Sequence, residues 1–114
     1  MVATWAPILA ASIRWIGSRI EATRSAIWRA AWGSDNREHY VQRDAAISSY
    51  FSTVCARSVC ENAMHIFGKD GYTRAFPAEK FFRDALMTNH INNTVDVRLL
   101  KIGRSLAGQM VSTL

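Results

Sequence analysis

The sequence is poor in the residues that interrupt helices. Two prolines (Pro7, Pro77) and six glycines punctuate 114 residues, and no long segment alternates apolar and polar residues with period two, which excludes a strand-built fold. Cysteine is equally scarce. Cys55 and Cys60 lie five apart in a helical stretch and point about 140° away from each other, so they cannot bridge within that helix. No Cys or His stands at metal-ligand spacing, and the expected compartment is reducing and intracellular. Long apolar runs are missing too. The longest uncharged run, Met1 to Ile13, falls short of the ~20 apolar residues a membrane helix needs, and no Lys or Arg precedes it to start a secretory signal. Acidic residues are few at this end: Arg14, Arg19, Arg24 and Arg29 face Glu21 alone. A mitochondrial transit peptide shares that composition, but the pattern continues unbroken into a long helix and is read as structure. Cytoplasmic and mitochondrial locations both stay open.

What is present describes a globular chain. Apolar residues make up 49% and charged residues 20%, with a net charge of +5, far from the signature of disorder. The length fits a single domain over residues 1–114. A domain this short buries roughly 60–70% of its unfolded surface, which leaves little volume for an internal cofactor cavity and argues against a self-contained enzyme with a large cofactor.

Four helices can be read from the periodicity. Thr4-Trp5-Ala6-Pro7 opens the first, with Pro7 in its first turn. Leu9, Ile13, Ile16, Ile20 and Ile27, with Thr23 filling the missing step, predict a core stripe, and Gly33 predicts the stop. The second helix runs from about Glu38 to Phe67. Gly68-Lys69-Asp70-Gly71 breaks the pattern, and Phe76-Pro77 opens a third helix ending near His90. Asn92-Asn93-Thr94 is the next turn, with Thr94 a suitable N-cap. Val95, Leu99, Ile102 and Leu106 then line a fourth helix that frays after Gly108. Short connections make this an all-α, antiparallel bundle of about four helices.

Few residues announce chemistry. The Arg ladder at 14, 19, 24 and 29 advances about 140° per step and winds around its helix, unlike the one-sided basic face of a nucleic-acid binder. No nucleic acid and no membrane are expected as partners. Trp5, Trp15, Trp28 and Trp32 read as core and interface anchors. Arg83-Asp84 reads as a polar pair tying neighbouring helices. His39, His65 and His90 are isolated in sequence.

The segment from Met64 to Arg104 is more specific. It contains His65-Ile66-Phe67-Gly68-Lys69-Asp70-Gly71-Tyr72, Pro77-Ala78-Glu79-Lys80, Phe82-Arg83-Asp84-Ala85, Asn92-Asn93-Thr94 and Ile102-Gly103-Arg104. In this it resembles the C-terminal helical domain of the acyl-CoA dehydrogenase family. The family pattern there is Gln-x-Phe/Leu-Gly-Gly-x-Gly-Tyr, Pro-x-Glu-Lys/Arg, Phe/Tyr-Arg-Asp-Ala, Glu-Gly-Thr and a helix ending Ile-Gly/Ala-Arg. Ile20-Glu21-Ala22-Thr23-Arg24 and Trp28-Arg29-Ala30-Ala31-Trp32 extend the resemblance, less specifically, toward the N-terminus.

The resemblance implies a flavoprotein setting. In the family the glycine-rich segment meets the ADP part of FAD, commonly that of a neighbouring subunit, and the Thr after Glu-Gly lies near the flavin. Carried over, this marks His65 (at the Gln position), Gly68, Gly71 and Thr94 as cofactor-binding candidates, with Lys69 in place of the second Gly. In a major branch the Glu of Glu-Gly-Thr removes the α-proton of the acyl thioester while hydride leaves for the flavin. Asn92 stands at that position, and an amide is no general base. The resemblance therefore implies a contribution to a flavin and acyl-CoA oxidoreductase assembly, as a homo-oligomer or beside a flavoenzyme subunit, and not a self-sufficient dehydrogenase. The alternative is a protein that kept the fold without the redox role: a homodimeric scaffold, or a small-molecule-binding cyclase, lyase or isomerase. There the bundle interior would be the pocket, with His90, His65 and Asn92 as its polar groups.

Overall fold

A computed structural model describes residues 2–91 and 95–112. Four α-helices account for most of them: α1 (Val2–Asp35), α2 (Val41–Phe67), α3 (Ala78–Ile91) and α4 (Val95–Ser112). A 3-10 segment, Gly68–Tyr72, separates α2 from α3, and no strand occurs among the described residues. The all-α expectation holds. Asn92, Asn93 and Thr94 lie outside the described residues.

α2 is the hub: α1, α3 and α4 each pack on it. An Arg29–Asp44 fork, Nε to Oδ2 at 3.0 Å and Nη2 to Oδ1 at 3.3 Å, ties α1 to α2. The turn between them corrects the expected stop at Gly33. α1 runs on to Asp35 and ends in a Schellman motif, with Glu38 N–H donating to Gly33 C=O at 3.0 Å and Arg37 N–H to Ser34 C=O at 3.4 Å. Arg37 takes the left-handed position at φ 55°, the role usually given to glycine. Gly33 is instead buried, in the face of α1 that meets α2. Because α1 starts at Val2, Pro7 also sits beyond the first turn, five residues past the first helical position it prefers.

The larger correction concerns which faces are buried. The α1 residues turned toward α2 are Ser12, Ile16, Arg19, Thr23, Ala26, Ala30 and Gly33, a stripe mostly of small or polar residues. Leu9, Ile13, Ile20 and Ile27, the expected core, remain 39–57% exposed. α4 behaves alike: Arg98, Ile102 and Ser105 are covered, while Leu99 and Leu106 keep 45% and 47% exposure. Nor are Trp15, Trp28 and Trp32 core, since they are 38%, 71% and 61% exposed. Among the described residues the buried apolar set reduces to Cys55, Met64, Ala78 and Ala85, and no large side chain is fully enclosed.

The global dimensions agree. The chain exposes 8793 Å², against roughly 6,300 Å² for a folded monomer of this mass. Its radius of gyration is 17.9 Å, where a compact chain of this length gives about 13 Å. About 2,500 Å² of surface is thus in excess of what a closed domain shows, and outward apolar side chains such as Ile13, Trp28 and Leu100 are among the exposed residues.

Candidate functional site

The glycine-bearing segment is shaped by the end of α2. Gly68 caps that helix at φ 57°, ψ −133°, donating its N–H to His65 C=O. That backbone conformation is open only to glycine, and a Cβ placed there would meet nothing within 4 Å. Gly71 has a different reason to be glycine. It is buried, and a Cβ would stand 3.1 Å from both Met64 C=O oxygen and Phe67 Cβ. The segment closes with Thr73 donating from N and Oγ1 to Asp70 C=O at 3.2 and 2.8 Å, and with the Phe67 and Phe76 rings 5.1 Å apart. His65 and Lys69 are exposed, so an exposed imidazole, an exposed ammonium and an open approach over Gly68 share one end of the molecule. His65 also lines a small groove of about 250 Å³ with Asn62, Ile66, Ile8 and Leu9.

The other sequence candidates are scattered. His90 lines a surface groove of α3 with Lys80, Asp84 and Met87, sharing no residue with the groove at His65. Arg83 pairs along its own helix with Glu79, Nε to Oε1 at 2.7 Å, where the sequence suggested a tie between helices. Asn92 and Thr94 are outside the described residues. Cys55 and Cys60 are both free, and burial, reinforced by Cys55, pushes the Cys60 thiol above its ordinary pKa. Among the described residues no group of three His, Cys, Asp or Glu side chains could hold a metal ion.

One residue stands out that sequence reasoning passed over. Arg98 is only 4% exposed, and its Nη1 donates to Ser49 C=O at 3.3 Å and to Thr53 Oγ1 at 2.5 Å. The only sequence signal was its place in the face 98, 102, 105, which the apolar pattern 95, 99, 102, 106 obscured.

Four helices on an α2 hub, a Gly68–Tyr72 break and the motifs around it specify one lineage. The family model for the acyl-CoA dehydrogenase C-terminal domain matches residues 9–107. This chain belongs to the acyl-CoA dehydrogenase family. It is 31% identical over 87 residues to the mitochondrial short-chain specific acyl-CoA dehydrogenase of Bos taurus, covering 76% of this chain and 21% of that protein. It is 32% identical over 88 residues to a probable acyl-CoA dehydrogenase of Mycobacterium leprae, covering 77% of this chain and 23% of the relative. Among solved structures, a chain described as an electron transferring flavoprotein of Acidaminococcus fermentans superposes with a TM-score of 0.82 at 30% identity. That match covers 88% of this chain and 26% of the other. The chain thus spans about a fifth of the length of the curated dehydrogenases it matches. Members of the family use FAD. The exposed segment at His65, Gly68 and Lys69 fits one wall of such a site, because the space beyond Gly68 is open, whereas buried Gly71 is accounted for by packing.

No helix among the described residues is long and apolar enough to cross a membrane.

Proposed function

We propose that this acyl-CoA dehydrogenase C-terminal domain works within a flavin and acyl-CoA oxidoreductase assembly, in contact with elements that these 114 residues do not contain. Its contribution to the flavin site is the exposed end of α2, with His65, Gly68 and Lys69 toward the ADP part of the cofactor and Thr94 toward the flavin. Gly71 acts indirectly, by holding the loop's shape. The flavin, when bound, supplies the hydride acceptor. The protein's part is to orient it and exclude water from it. Proton removal from the thioester is not a task this chain performs at the family's position, because Asn92 carries an amide there.

The observation that carries the reading is the outward turn of the apolar stripes on α1 and α4, with about 2,500 Å² of surface beyond that of a closed domain. Specific protein interfaces bury about 1,200–2,000 Å² or more, so the excess is of the size an assembly covers. The test is flavin binding and size together. The full chain, alone and mixed with a dehydrogenase subunit of the family, is titrated with FAD while mass is followed by light scattering. The expected result is a larger complex that retains yellow flavin through gel filtration. A monodisperse monomer that retains none in either mixture refutes the reading. In a flavin-loaded complex, Asn92→Glu should raise acyl-CoA-dependent bleaching of the flavin by ~10²-fold or more, and an unchanged rate removes position 92 from the base site.

A further inference from the structure

We infer that the groove between α2 and α4 is a binding site for the phosphoryl group of a small phosphorylated ligand, separate from the flavin-facing loop. The groove has a volume of about 800 Å³ and is lined by Arg98, Lys101 and Arg104 from α4, with Gln42, Ser49 and Ser105 among its neutral polar groups. Such a volume is within the roughly 300–1,000 Å³ of small-molecule sites. No acidic residue is among the described side chains lining it.

The charge arrangement is what selects the ligand. Elsewhere, four arginines are held in ion pairs: Arg24 with Glu21, Arg29 and Arg43 with Asp44, Arg83 with Glu79. Lys101 and Arg104 form no ion pair with a described residue. They follow Arg98 at steps of three, which brings the three cations onto one helix face, where like charges destabilise a helix. An anion in the groove reverses the sign of that interaction. Arg98 gives the site a fixed element. A guanidinium stays charged at any physiological pH, and this one is buried and anchored to α2 through Ser49 and Thr53. Its charge adds to the positive field of the groove, while exposed Lys101 and Arg104 reach the phosphate oxygens themselves. Gln42, Ser49 and Ser105 offer hydrogen bonds to hydroxyl or ester oxygens beside the phosphoryl group.

Two further points narrow the class. No aromatic residue is among the described side chains lining the groove, which gives it no stacking platform of the kind a single-strand nucleic-acid site uses. Ser49 and His65 are sixteen residues apart on α2, about 24 Å at 1.5 Å per residue, which separates this groove from the loop assigned to the flavin.

The test uses inorganic pyrophosphate as the probe, titrated into the full chain by calorimetry at constant ionic strength. The expected result is saturable binding that weakens at least tenfold in Lys101→Gln/Arg104→Gln, two exposed positions whose replacement leaves the α2 anchor of Arg98 intact. Arg57→Gln, an exposed position of α2 outside the groove, should bind as the parent does. Circular dichroism verifies that each variant keeps its helix content. Equal affinity in the double variant overturns the site, as does equal binding of sodium chloride at matched ionic strength. Preference for a single-stranded oligonucleotide over pyrophosphate by tenfold or more also overturns it, in favour of a polyanion surface. None of these readouts involves flavin, so the flavin proposal and this one fail separately.

Discussion

Replacing Gly71 by alanine adds one methyl group to a place with no room for it. The new Cβ would stand 3.1 Å from Met64 C=O oxygen, 3.1 Å from Phe67 Cβ and 3.4 Å from Met64 Cα. These neighbours belong to the last turn of α2 and are not the ends of flexible side chains. Relief must come from shifting the helix end or the 3-10 segment by a few tenths of an ångström. Overpacking of this kind costs about 1–3 kcal/mol. Alanine recovers some 0.4–1 kcal/mol by restricting the unfolded chain, and the middle of the two ranges leaves a net loss of about 1.3 kcal/mol. At ~2.1 cal/mol/K per residue, a chain of this length loses about 4 °C in Tm for each kcal/mol, so the expected drop is ~5 °C. Thermal melting by circular dichroism, at one protein concentration for both chains, reads it directly. A Tm within a degree of the parent would refute the packing argument and leave the buried glycine unexplained. Gly68→Ala is the companion. It meets no neighbour, and its loss comes from φ 57°, ψ −133°. Gly68→Asn should therefore be no better than Gly68→Ala, because asparagine's tolerance covers the left-handed helical region and not this one.

Three other outcomes are expected. Arg37→Gly relieves a non-glycine residue at φ 55° and should stabilise the chain by ~1 kcal/mol, a rise of several degrees in the same melt; a fall in Tm would refute the Schellman assignment. Ile20→Glu places a charge in the outward stripe of α1, where the parent side chain is 39% exposed. It should leave helix content unchanged while weakening association at least tenfold in sedimentation velocity, and unaltered association would remove that stripe from the interface. The raised pKa of Cys60 contributes stability that is present below the unfolded thiol's pKa of ~8.5 and is lost as pH rises through the higher folded value. Denaturation midpoints should therefore fall on the alkaline side in the parent and fall less in Cys60→Ala; identical alkaline profiles would contradict the burial of that thiol.

Helix existence and helix breaks were legible in the sequence because both depend on near neighbours along the chain. Gly68 and Pro77 bracket the break after α2 wherever the helices pack. Which face of each helix is buried was not legible from periodicity. The stripes at Leu9, Ile13, Ile20 and Ile27 and at Leu99 and Leu106 are real apolar faces, but their side chains stay 39–57% exposed. Periodicity reports that a helix has an apolar side, and says nothing about whether its own chain covers it. Arg98 was missed for the complementary reason. A lone arginine in an amphipathic pattern reads as solvated, and only the tertiary approach of Ser49 and Thr53 makes it a buried group. The glycine motif was found through family resemblance, whereas the separate reasons for its two glycines needed backbone geometry.

The hub arrangement has a consequence for how perturbations combine. α1 and α4 each rest on α2, along different parts of its surface, so free-energy changes made on one should add to those made on the other with little coupling. A substitution on the outer stripe of α1 and a charge change on α4 would then act as independent dials. A molecule wired this way can retune what it assembles with and what it binds without renegotiating its own fold.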